Sequence, residues 1–78
     1  MVERKYRFFT ISEYGAINGK PVYRIVSNGH DRDTLGNIYW YPAWKCWVFE
    51  TEPGSIWSED CLANIIAFLG EVNKETGK

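Results

Sequence analysis

From residue 6 to residue 50 the chain favours strand-like alternation of apolar and polar side chains, and from residue 58 onward it switches to a helical repeat. Residues 6–14 carry Tyr6, Phe8, Phe9, Thr10, Ile11 and Tyr14, the aromatic and β-branched types that suit a strand. Asn18-Gly19 follows, and because both types tolerate positive φ the pair predicts a tight hairpin turn. Pro21 is expected at the start of the next strand, where its missing N–H costs least, and Val22 to Val26 continue that strand as far as Asn28-Gly29. Residues 30–34 are polar and read as a loop. Residues 35–41 make a third strand, Pro42-Ala43 a turn, residues 44–50 a fourth strand, and Glu52-Pro53-Gly54 a break.

The helix carries the strongest local signals. Ser58 suits the N-cap, because its hydroxyl can accept an N–H left unpaired in the first turn. Glu59 and Asp60 then place negative charge at the positive end of the helix dipole. Trp57 and Leu62 have the spacing of a hydrophobic staple. Leu62, Ile65, Ile66, Leu69 and Val72 recur at three- and four-residue steps, predicting one stripe that faces the sheet, flanked by Cys61 and Phe68. Gly70 either ends the helix early or weakens its last turn.

Short connections favour an antiparallel meander, so the expected fold is α+β. A three- to four-stranded antiparallel sheet packs on one C-terminal helix, all within a single domain over residues 1–78. One helix covers one face of such a sheet. The other face must meet solvent, a second copy or a partner, and on this step the functional expectation rests.

Thirteen of the 78 residues are aromatic, with four Trp, five Tyr and four Phe. Each such ring can bury about 150–250 Å², so the set exceeds what one sheet and one helix readily hide. Within the run from Tyr39 to Phe49, strand alternation puts Leu35, Asn37, Tyr39 and Tyr41 on one face and Ile38 and Trp40 on the other. With Ile38, Trp40, Cys46 and Val48 turned to the helix, Tyr39, Tyr41, Trp47 and Phe49 fall on the open side, and a one-residue slip would invert a strand. Tyr39, Tyr41, Trp44 and Trp47 are therefore the expected contact residues for a protein partner. The competing reading makes these rings part of a small core.

Net charge is −1, but it is divided unevenly. Residues 1–24 carry five cations (Arg4, Lys5, Arg7, Lys20 and Arg24) against two carboxylates, while residues 48–78 carry six carboxylates against two lysines. A protein partner is favoured over a phosphate backbone on this balance, and the basic first hairpin supports the alternative, a nucleic-acid-binding sheet using those five residues. A homodimer through the open face is a further expectation.

No catalytic constellation emerges, and the chain is not expected to be an enzyme or to hold a cofactor. His30 is the only histidine, in a polar segment that reads as a solvated turn. Asp31, Asp33 and Leu35 imitate the opening of an EF-hand loop, but Leu35 occupies a ligand position and Pro42 stands where a bidentate Glu is required. With two cysteines, no CxxC pair and a single histidine, no zinc site is expected. Cys61, in the first helical turn, is the better candidate for a reactive thiol, although Glu59 and Asp60 oppose its ionisation. No apolar stretch has signal-peptide or membrane length, so a cytoplasmic address with reduced thiols and no membrane contact is expected.

Residues 23–73 resemble small uncharacterised proteins of bacteria and their phages. The residues that carry the likeness are Leu35, Gly36, Ile38, Trp40, Tyr41, Pro42 and Trp44, then Phe49, Glu52-Pro53, and Ser58, Asp60, Cys61 and Leu62 leading to Phe68. The resemblance implies a phage or prophage setting, in which such proteins often occlude host machinery, and it supplies no catalytic residues. The strand-and-helix order also looks like the AP2 and integrase-arm DNA-binding domains, whose sheet face is basic; here basic residues collect only in the first hairpin.

Overall fold

Asn18 and Gly19 both take positive φ, 53° and 81°, and close the hairpin that the sequence predicts there. The structure is a computed structural model that describes residues 3–29 and 33–76. Five strands, β1 (Glu3–Lys5), β2 (Phe9–Ile17), β3 (Lys20–Ser27), β4 (Thr34–Tyr41) and β5 (Cys46–Thr51), precede one helix, α1 (Glu59–Thr76). The strands lie side by side in chain order, each antiparallel to the next. The fold is thus an antiparallel meander with a single C-terminal helix, one strand longer than expected.

The additional strand and the shifted start of β2 have one cause. The Tyr6 N–H donates to the Phe9 carbonyl at 2.7 Å, folding residues 6–8 into a turn, and the polar segment before it pairs back on β2. Tyr6 and Phe8 therefore belong to the turn, and β2 runs from Phe9 to Ile17. β4 begins at Thr34, which the sequence reading placed in a loop; His30, Asp31 and Arg32 lie outside the described residues.

The register between β4 and β5 overturns one expectation. Ile38 and Trp40 could share a face with Cys46 and Val48 only across a loop with an odd number of residues. Tyr41 pairs with Cys46, leaving four residues between them, so Trp40 stands opposite Trp47 and Ile38 opposite Phe49. The loop closes through N–H groups of Trp44 and Lys45 donating to the Tyr41 carbonyl, with Lys45 at φ 54°. Trp47 and Phe49 thus face the helix, and Cys46 and Val48 do not.

The core consists of Phe9, Ile11, Tyr23, Ile25, Ile38 and Trp47 from the sheet and Cys61, Ile65, Phe68 and Val72 from the helix. The buried helical stripe is turned from the expected one: Leu62 is exposed and Ile66 is 69% exposed. The apolar arc of α1 is wider than the sheet covers, and specific contacts choose its centre. Phe68 meets Tyr23 edge-on at 5.0 Å, Asn73 Oδ1 accepts the Trp47 N–H at 2.8 Å, and Glu71 pairs with Arg4 at 2.8 Å. At the helix start, Ser58 Oγ accepts the Cys61 N–H at 3.2 Å, as an N-cap should. Trp57 packs on Phe9 and Phe49, with ring centroids 5.8 and 5.0 Å away. The helix runs through Gly70 to Thr76. Gly36 lies under the Phe49 ring, where a Cβ would come within 2.8 Å of both that ring and the Glu50 carbonyl, so only glycine fits without movement.

Candidate functional site

The register defines what the uncovered face presents. One row crosses it from edge to edge: Glu3, Ser12, Arg24, Asn37 and Glu50. On the side of the chain entry to β3's end lie Lys5, Thr10, Val26 and Thr34. Toward the β2–β3 and β4–β5 turns the face becomes apolar, with Val22, then Tyr39 beside Val48, and Tyr41 beside Cys46. A bulge between Glu13 and Gly15 gives Tyr14 an extra position in β2, and it brings the ring under Arg24, whose Cζ stands 3.4 Å from the ring centroid.

The polar groups of this face are sorted in a particular way. Tyr39 Oη donates to Glu50 Oε1 at 3.0 Å, and Asn37 Nδ2 donates to Glu52 Oε2 at 3.1 Å. The hydrogen bond to Glu50, then burial and the charge of Glu50, hold the Tyr39 hydroxyl above the usual phenol range. It therefore stays a neutral donor at physiological pH. Both carboxylates are engaged by neutral donors, and Arg24 has neither. Its Nε is sealed from solvent without a hydrogen-bond partner, the one such side-chain atom among the described residues.

At the hairpin end, apolar groups reach solvent. Tyr14 and Ile17 are each 63% exposed, Tyr41 37% and Trp44 71%, and the last two rings meet edge-to-face at 5.1 Å. Between the two turns lies a cavity of about 210 Å³, lined among others by Ile17, Lys20, Val22, Tyr39, Trp40 and Pro42. The Lys20 ammonium sits 4.9 Å above the Trp40 ring at its margin. At the opposite end of the sheet a broader open depression of about 970 Å³ runs between the β1–β2 turn and the segment before α1, with Phe8 and Ile56 exposed on its rim.

Of the four aromatic residues expected to make contacts, Tyr39, Tyr41 and Trp44 come together on or beside the open face. Trp47 does not. It is 5% exposed, packed against Tyr23 and Trp40 on the helix side, because the four-residue loop sets the parity of β5. The five cations of the first hairpin are dispersed. Arg4 faces the helix and pairs with Glu71, and Arg7 lies 5.1 Å over Phe8 in the β1–β2 turn. Lys5, Lys20 and Arg24 take open-face positions, with Lys20 at the hairpin end reaching over the Trp40 ring. Val48, expected to face the helix, stands beside Tyr39 on the open face, and Tyr14, Ile17 and Val22 join it there without having been expected as contact residues. Only Asn18-Gly19 signalled that Ile17 sits at a tip, and nothing local announces the bulge that turns Tyr14 outward.

Cys46 is half-buried, Cys61 buried, and both are free thiols. No group of three or more His, Cys, Asp and Glu among the described residues could hold a metal ion. No described helix is long and apolar enough to cross a membrane. No family model matches this chain, and neither the curated proteins nor the solved structures contain a significant match to it.

Proposed function

We propose that this domain is a non-catalytic binding module that docks a protein partner on the apolar half of its uncovered sheet face. The observation that supports this reading is the gathering of Tyr14, Ile17, Tyr41 and Trp44, all exposed, around one end of that face. Exposed Tyr and Trp beside half-buried aliphatic groups have the composition of an interface centre. Charge supports a protein over a nucleic acid, because the face is no polycation: Lys5, Lys20 and Arg24 are matched by Glu3, Glu50 and Glu52. The resemblance of residues 23–73 to phage proteins suggests the setting, in which the partner is a component of host machinery that docking occludes.

The test compares the wild-type domain with a Tyr41→Ala, Trp44→Ala double variant as bait, followed by purification of what only the wild type retains. A partner that binds the wild type and loses at least about tenfold in affinity for the variant supports the reading. Equal retention by both baits sinks it. Salt-dependent binding of the wild type to duplex or single-stranded nucleic acid, with no protein retained, would favour the basic-hairpin alternative instead.

A further inference from the structure

Among the described residues, Arg24 is the open-face cation that combines a sealed, unpaired donor with a fixed position. Arg24 occupies the middle strand of the five, in the centre of the polar row. Its cross-strand neighbours are the neutral Ser12 and Asn37. Of the carboxylates along the face, Glu50 and Glu52 are held by Tyr39 and Asn37, and Glu3 stands two strands away at the other end of the row. The ion pair that the described residues do form, Arg4 with Glu71, lies on the other side of the sheet. Stacking on Tyr14 at 3.4 Å restrains the guanidinium, and its Nε has no acceptor. Buried side-chain donors are nearly always satisfied; here Nε is not, and the half-buried guanidinium is pinned by its stack on Tyr14. Its Nη hydrogens, which have no acceptor among the described residues, are the donors left for an acceptor from outside.

Resting on the docking face proposed above, we infer that Arg24 receives a carboxylate of the partner while the cavity between the two hairpin turns receives an apolar side chain of the same segment. The guanidinium fork matches a carboxylate with two parallel hydrogen bonds. A dianionic phosphate suits the site poorly, since Glu3 and Glu50 end the row and no second cation adjoins Arg24 in it. Val22, which lines the cavity, stands two residues from Arg24 on the same face of β3. That separation is about 6.8 Å, the repeat between same-side residues of an extended chain. The recognised element is therefore an extended segment bearing an acidic residue two positions from an aliphatic or aromatic one.

A library of random displayed heptapeptides, selected on the folded domain and counter-selected on Arg24→Gln, tests this. Enriched sequences should carry Asp or Glu two positions from an apolar residue. The best peptide should lose at least about tenfold in affinity when its acid becomes the matching amide, and similarly for Arg24→Gln and Arg24→Lys, the latter because lysine keeps the charge but not the fork. The amide peptide on wild-type protein keeps the test valid should the variants fail to fold. Enrichment of peptides without an acid, lost with Tyr41→Ala and Trp44→Ala, overturns the role of Arg24 and leaves the docking face standing. Absence of any enrichment overturns both.

Discussion

On the face beneath the helix, Phe9, Ile11, Ile25 and Ile38 are fully enclosed and no described polar residue is buried with them, whereas the opposite face holds half-buried polar groups bonded to one another and rings open to solvent. The two surfaces belong to the same strands, and adjacent residues feed one or the other. The contrast separates two tasks. The covered face supplies apolar burial, which dominates stability, and the uncovered face carries Arg24, whose bonding is incomplete among the described residues. Substitutions should therefore divide cleanly between those that unfold the domain and those that silence it.

The largest separation is expected at Phe68. Phe68→Ala empties a fully buried site against Tyr23 and should cost ~3–5 kcal/mol, a large share of the ~4–12 kcal/mol a chain of this length commands. Urea denaturation should show the variant partly or wholly unfolded, while Trp44→Ala shifts the midpoint little. Comparable losses from both would erase the distinction between the faces. Gly36→Ala is next, at about 1–3 kcal/mol, because its Cβ would strike the Glu50 carbonyl as well as the movable Phe49 ring. A melting temperature unchanged in this variant would mean the β4–β5 register relaxes freely.

Arg24→Met sharpens the comparison in the other direction. It removes an unpaired buried N–H, which costs ~1–3 kcal/mol, and forfeits the contact with Tyr14, worth ~0.5–1 kcal/mol. Thermal stability should hold or rise slightly; a clear fall would make Arg24 a structural residue. The smallest effect concerns pH. Tyr23, through burial and then the charges of Glu13 and Glu75, and Tyr39, through Glu50, both have hydroxyl pKa values raised in the folded chain. The folded state holds these protons more tightly than the unfolded one. Their contribution is complete below the unfolded phenol value of about 10 and is lost as pH rises through the folded values. The melting temperature should therefore decline above about pH 10, and Tyr39→Phe should reduce that decline.

The sequence-readable parts of this protein are those whose physics is local. Asn18-Gly19 encodes its turn through positive φ, Ser58 its cap through one hydroxyl, and the long alternating runs their strands. β1 escaped notice because Glu3, Arg4 and Lys5 have no apolar alternation; their pairing depends on β2 already being in place. Of the candidate contacts, Tyr39, Tyr41 and Trp44 were legible as a cluster, and Trp47 was misplaced for want of one loop length.

Sequence alone thus determined the number of long strands, the helix and its cap, and the need for one sheet face to lie uncovered, since each follows from neighbours a few residues apart. Tertiary structure alone decided which rings occupy that face, how α1 is rotated, and that Arg24 lies over Tyr14. These depend on strand parity, on a bulge, and on contacts such as Trp47 with Asn73 that join residues distant in the chain. No local preference encodes a partner that only folding brings within reach.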